Sequence, residues 1–410
     1  MNRLLYGLWV LLFAGFPFTV YAQQDTVGVD ARTDTLGEHA RLVERISELT
    51  AAPQPDTVKA SKFKTYLQSL IKGHVDRTFE KRMDMTYIVA PCYTKEGSFG
   101  LGGAVTALYR TDRTDSIMPP SDFQLTGSAS LKGFYTVGVE GDTYFKGNKS
   151  YLVYSATFSR KTLDFWGIDY DACAANPVSK YTRQRVMVDA DYIYKLPANF
   201  RIGGGIVVNY TGAVSLRHPA YLDGQKDSYF LSGISATVQY DTRDFPLNPK
   251  RGVYVMLKET LYPRFTGNFN KTLPTTTFQF NAYHRLWKGA VLGYDVYGQL
   301  NSSEAPWTLR EELGAGSCRM RGYYAGRYID CSLTSVQAEI RQQIVKRLGC
   351  VAWGGAGTVF SNWKDIRLNR ILPNYGVGLR FEVKHNVNLR VDFGIGRHTT
   401  GFVVQMKEAF

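Results

Sequence analysis

Val387-Asn388-Leu389-Arg390-Val391-Asp392-Phe393-Gly394-Ile395 alternates, residue by residue, between apolar and polar or small side chains. In an extended chain successive side chains point to opposite faces, so Val387, Leu389, Val391, Phe393 and Ile395 form one greasy face. Asn388, Arg390, Asp392 and Gly394 form the other. The same period sets Ile234, Ala236, Val238 and Tyr240 against Ser235, Thr237, Gln239 and Asp241. It also sets Val336, Ala338, Ile340 and Ile344 against Gln337, Glu339, Arg341 and Gln343. An apolar face backed by a charged one is the lipid-out, polar-in pattern of a membrane barrel, but a soluble sandwich alternates in the same way.

Length separates the two. Period-two segments run from 84–93 to 387–396 and 400–410, sixteen in all, most of them roughly 10 to 16 residues long. Strands of globular sheets are about 5–6 residues, whereas about 9–11 tilted residues cross a bilayer. Sixteen is also an even number, as bacterial single-chain barrels have. Short connections (Gly147-Asn148-Lys149, Pro197-Ala198, Lys288-Gly289, His385-Asn386) alternate with long ones (161–179, 211–227, 264–272, 302–329, 361–373), the order slipping at 111–121 and 132–133. The expected fold is an all-β membrane protein, a 16-stranded antiparallel transmembrane β-barrel over 84–410. A composition rich in Tyr (27), Phe (23) and Gly (39) agrees with many amphipathic strands joined by turns.

Ahead of it, Arg3, the apolar run Leu4 to Val20 and the triplet Val20-Tyr21-Ala22 read as a secretory signal over 1–22. Residues 23–83 read as a short periplasmic lead, with amphipathic helices around Glu38–Leu49 and Lys62–Ile71 parted by Pro53 and Pro55. No later stretch is apolar enough for a membrane helix. The formal charge of +13 fits anionic lipid head groups or a charged lumen wall better than nucleic acid, which a secreted chain rarely meets. Cys318 and Cys331 bracket the 302–329 connection; a disulfide there and two unpaired thiols are both compatible with the sequence. Histidines and cysteines lack metal spacing, and no residue set meets the roles of a catalytic site, so no enzyme, metal or cofactor is expected.

The 302–329 connection is unusually long and carries Trp307, Tyr323, Tyr324 and Tyr328 around Arg319-Met320-Arg321-Gly322-Tyr323-Tyr324. Its aromatics supply something to bury, which argues against disorder. The expectation is that it folds back into the lumen and seats Arg321 on the inner wall.

Two motifs and their order resemble the bacterial surface antigen family, the BamA/TamA superfamily of outer-membrane assembly and translocation barrels. One is Tyr240-Asp241-Thr242-Arg243-Asp244 followed by Pro246-Leu247-Asn248-Pro249 and Arg251-Gly252, similar to the family's strand–turn–strand signature. The other is Met320-Arg321-Gly322-Tyr323, similar to its inward-folded loop motif, here between the eleventh and twelfth expected strands. The resemblance implies that Arg321, with Gly322 and Tyr323, is locked to the wall by Glu339. The family also places an aspartate on the next strand; here Gly355, in Trp353-Gly354-Gly355-Ala356-Gly357, stands in its place, leaving the lock one carboxylate short. A lateral seam between first and last strands would involve Pro91, Gly401 and Phe410. The implied function is to assist assembly or translocation of outer-membrane or surface proteins from the bacterial outer membrane. The implied partners are outer-membrane lipid or lipopolysaccharide, unfolded outer-membrane protein clients, and periplasmic or membrane assembly proteins. Residues 23–83 cannot hold the family's usual array of periplasmic POTRA modules. The competing reading is a plugged porin-like or structural barrel passing small solutes.

Overall fold

The computed structural model describes residues 78–410 except 95–97, 116–117, 247, 315–317, 346, 385–386 and 407. The expected signal and helical lead lie almost entirely outside the described residues. The strands begin with β1 (Asp84–Thr94), β2 (Ser98–Tyr109), β3 (Ser121–Ser130), β4 (Tyr135–Tyr144), β5 (Ser150–Phe165) and β6 (Ser179–Lys195). They continue with β7 (Phe200–Leu216), β8 (Ser228–Asp241), β9 (Gly252–Tyr262), β10 (Leu273–Arg285) and β11 (Ala290–Asn301). A two-stranded ribbon, β12 (Glu311–Glu312) and β13 (Ile329–Asp330), comes next. The chain then completes the large sheet with β14 (Ser332–Val345), β15 (Leu348–Phe360), β16 (Leu372–Lys384), β17 (Val387–Gly396) and β18 (Thr399–Met406). A short helix, α1 (Tyr170–Ala175), sits in the β5–β6 connection.

Sixteen of these strands form one sheet in chain order, β11 lying next to β14 across the ribbon. The expected number of strands is therefore met. β5 and β7 run on to Phe165 and Leu216, several residues beyond the expected 160 and 210, because their upper ends pair further with each other's neighbour β6. The last strand is shorter than expected and stops at Met406.

The two faces of the sheet are buried in the reverse of a soluble protein. Ile206, Ile234, Ile344, Val377, Phe402 and Val404 are each more than half exposed, whereas Asn281, Asp295, Glu339, Arg341, Arg390 and Asp392 are buried. Keeping such an apolar side chain in water forgoes about 1.5–3 kcal/mol each, so a face made of them is matched to a non-aqueous medium.

The sheet is also rolled. Tyr323 and Tyr324 are neighbours, about 3.8 Å apart at Cα. The Tyr323 hydroxyl donates to the Pro373 carbonyl in β16 (2.8 Å), while the Tyr324 hydroxyl accepts from the Asp164 amide in β5 (3.0 Å). Nine strand spacings of about 4.8 Å would put β5 and β16 roughly 43 Å apart in a flat sheet. The charged face is therefore concave, and the β11–β14 connection lies within it.

Candidate functional site

The described residues of the connection from 302 to 331 lie against the concave face, and their fixed point is Arg321. Met320 and Gly322 take positive φ (51° and 105°), which turns the chain sharply and aims Arg321 at the sheet. One arm of the guanidinium donates to Glu339 Oε2 in β14 (2.8 Å) and another to Asp392 Oδ2 in β17 (2.9 Å). Its plane lies on the Trp353 indole of β15, 3.7 Å from the ring centroid. Charge-assisted bonds from its two terminal nitrogens to two carboxylates, with an aromatic stacked on its plane, use the fork and the flat face that a lysine lacks.

Glu339, as expected, is one wall partner. The second carboxylate is a correction to the expected shortage. Gly355 does stand where the next strand's acid would be, but Asp392, three strands from Glu339 in the sheet, supplies the missing charge. It reaches because β16, between them, is bare at two inward positions: a Cβ added at Gly376 would lie 2.4 Å from the Trp353 ring, and one at Gly378 would lie 2.1 Å from Asp392 Oδ1. Asp392 belongs to the polar face of the stretch that announced the fold, yet only rolling brings it under the loop.

Both carboxylates are shared with wall arginines. Glu339 Oε1 accepts from Arg341 Nε (2.6 Å), and Asp392 accepts from Arg380 (2.5 Å) and Arg390 (3.0 Å). Arg319, two residues earlier in the loop, makes a two-pronged bond to Asp295 of β11 (2.8 Å and 2.8 Å) and lies over Tyr297. No role was expected of Arg319. Tyr323 accepts from the Arg397 amide (2.8 Å) besides its bond to Pro373, and its ring occupies the space a Cβ on Gly396 would need. Backbone touches backbone at Gly322 and Gly394, and Thr399 Oγ1 donates to the Gly322 carbonyl (3.0 Å).

A second anchor holds the ribbon to the opposite wall. Glu312 accepts from Arg183 and, at 3.4 Å, from Arg185, both on β6. Its neighbour Glu311 accepts from Gln299 Nε2 (2.5 Å) and has no cation in hydrogen-bond contact among the described residues. Burial, with the Glu312 charge beside it, pushes the Glu311 carboxyl up to about 8. Unfolded, the group titrates near 4.3. Between those values the folded chain therefore binds the extra proton, and stability should fall as pH rises from about 4.3 to about 8. Thermal unfolding across that range is expected to show the loss, and Glu311→Gln should flatten it; an equally steep profile in the variant would remove Glu311 as its source.

The strand–turn–strand motif lies at the other end of the strands. Arg243 makes a two-pronged bond to Asp241 (2.9 Å and 2.9 Å), which also takes Arg201 (3.0 Å). Asp244 Oδ1 accepts the backbone amides of Phe245, Lys250 and Arg251 and so folds the turn around itself. Gly252 (φ 106°) lets β9 start against Thr242, and the Pro249 carbonyl accepts from Arg341 (3.4 Å), which ties the turn to the wall below the lock.

The seam residues are distributed differently from expectation. Pro91 lies in β1, an outer strand of the sheet, in register with Leu101. Gly401 is the third residue of β18 and lies under Gly322, 3.5 Å from its Cα to an added Cβ, so it serves the loop. Phe410 does not end the last strand. It folds onto the concave face, its ring beside Tyr283 and its carbonyl accepting from Arg341 (2.8 Å), because Glu408 finds Arg380 and Asn388 there. Cys318 and Cys331 are both free thiols, so the loop is held by ion pairs and aromatic packing.

A family model described as the Omp85 superfamily domain matches residues 141–403. Among solved structures the chain is similar to BamA from Haemophilus ducreyi lacking POTRA domains 1-3, at 12% identity and a TM-score of 0.50 over 80% of this chain and 69% of that one. It is similar to CdiB from Acinetobacter baumannii at 12% identity and a TM-score of 0.51, covering 79% of this chain and 60% of that one. For CdiB from Escherichia coli the values are 10%, 0.52, 80% and 62%. At these identities the likeness is one of fold, and the chain spans less than two thirds of either CdiB structure. No curated protein matches it by sequence.

Proposed function

The chain belongs to the Omp85 superfamily, and from that premise we propose that it is a closed barrel of the bacterial outer membrane that helps insert or export other outer-membrane or surface proteins. The observation that carries this reading is the loop locked by Arg321 onto a buried, charged, concave wall behind an exposed apolar face. A channel for solutes needs a clear lumen, and here a loop arginine is bound into a buried ion network of the wall that holds the segment inside it.

Closure follows from the medium. A long open sheet edge in hydrocarbon leaves each amide and carbonyl unsatisfied at a cost of several kcal/mol, so β1 and β18 are expected to meet. Their junction is short: β18 has 8 residues against 11 in β1, and Pro91 withholds a donor. Each missing ladder bond forgoes about 0.5–1.5 kcal/mol. A seam that opens there would offer two strand edges to an unfolded client by strand addition. The work is binding and conformational change, without a catalytic site or cofactor; lipopolysaccharide or other outer-membrane lipid surrounds the barrel, and periplasmic or membrane assembly proteins bring the clients.

Depleting the protein is expected to lower the levels of several unrelated outer-membrane or surface proteins. In planar bilayers the purified chain is expected to give small, erratic openings. A large steady current, with client levels unchanged on depletion, would instead indicate a porin and overturn the proposal.

A further inference from the structure

We propose that residues 408–410 form a latch, in which Glu408 is a positioning residue for Arg321 and couples the last strand to the inward loop. The pairing of β18 with β17 ends at Met406 and Leu389. Just beyond it the chain turns onto the concave face. Glu408 Oε2 accepts from Arg380 Nε (2.7 Å), Oε1 accepts from Asn388 Nδ2 (2.7 Å), and Arg341 Nε stands 3.8 Å away. Ala409 is buried. Phe410 is seated by the Arg341 bond to its carbonyl and by Tyr283, over a wall position where Gly293 leaves room: an added Cβ there would meet the Phe410 ring at 3.2 Å.

The two arginines that hold the tail also flank the lock. Arg341 shares Glu339 with Arg321, and Arg380 shares Asp392 with Arg321. Four guanidinium groups (Arg321, Arg341, Arg380, Arg390) thus face three carboxylates (Glu339, Asp392, Glu408). With Glu408 withdrawn the same four face two, and Arg341 and Arg380 compete fully with Arg321 for them. In a buried site that competition weakens the loop's hold. Peeling β18 from β17 draws Glu408 out, so strand release at that edge and loosening of the loop become one event.

The inference rests on the reading of residues 302–331 as a plug, and the experiment separates the two. Single-channel openings of the full chain are recorded in planar bilayers for wild type, Arg321→Ala, Glu408→Ala, Glu408→Asp and the double variant Arg321→Ala/Glu408→Ala. The expected result is that Glu408→Ala raises opening frequency about tenfold, within the usual range of coupling between sites. Glu408→Asp should recover most of the wild-type behaviour, and the double variant should open no more often than Arg321→Ala alone, as members of one network do. Wild-type gating in Arg321→Ala would sink the plug reading. Raised gating in Arg321→Ala with wild-type gating in Glu408→Ala, or effects that simply add in the double variant, would sink the latch alone. Should Glu408→Ala fail to fold, Glu408→Gln, which keeps the shape without the charge, is judged by the same outcomes.

Discussion

Arg321→Ala is expected to release the loop from the wall, lower the thermal stability of the folded form and open the lumen to ions. The guanidinium is buried with both of its carboxylate partners and with the Trp353 ring against its face. Breaking a buried pair by removing one partner costs about 3–5 kcal/mol, chiefly because a charge is left without compensation. Here the cost should fall at the lower end of that range, since Glu339 keeps Arg341 and Asp392 keeps Arg380 and Arg390. Arg321→Lys should resemble alanine more than wild type: one ammonium cannot span two carboxylates on strands β14 and β17 while stacking on an indole. The checks are the temperature at which the folded form loses its heat-resistant gel mobility, and cleavage of residues 302–331 by protease added from the loop side. Wild-type behaviour of Arg321→Ala in both would remove the lock as the loop's fixed point.

What was legible beforehand follows from how far each feature depends on sequence neighbours. Strand positions were readable because the period of two is a local property, and every strand pairs with the next one along the chain apart from the ribbon between β11 and β14. The inward position of Glu339, on the first strand after the loop, was readable for the same reason, while its pairing with Arg321 came from the family resemblance. Asp392 was visible as an inward acid in the stretch from Val387 to Ile395, but its partnership with Arg321 spans three strands and needs the curvature of the sheet. No local pattern encodes that. Arg319 with Asp295, and Glu312 with Arg183 and Arg185, were hidden likewise, because each joins the loop to a strand distant in sequence. Phe410 misled for a different reason. Phe402, Val404, Met406 and Phe410 keep an even spacing, so the period seems to continue, but a charged residue that can find two partners on the concave face at position 408 ends the strand first. Inward glycines at 376, 378 and 394 carried a signal that went unused: in a wall otherwise lined by side chains, each bare position marks where something is laid against the sheet.

The second large effect is expected at the place where loop and wall meet backbone to backbone. A Cβ on Gly322 would lie 2.6 Å from the Gly394 carbonyl carbon, and a Cβ on Gly394 would lie 2.5 Å from that of Arg321. Neither contact can be relieved by swinging a side chain, because every atom involved is main chain. Gly322 also holds φ at 105°, where any residue with a Cβ is strained. Strain of about 1–3 kcal/mol and overpacking of about 1–3 kcal/mol together put Gly322→Ala and Gly394→Ala among the most disruptive small substitutions in the chain. Gly354→Ala is the matched control: it sits on the opposite face of β15, an added Cβ there meets nothing within 4 Å, and its effect should stay within about 0.5 kcal/mol. Since Gly394→Ala alters the wall and leaves the loop's own sequence intact, it also separates seating from loop stiffness: if the loop is held by close approach to β17, this wall variant should expose 302–331 to protease as fully as Gly322→Ala does. Equal protection in Gly394→Ala and Gly354→Ala would mean that the loop does not need that contact, and that the arginine alone holds it.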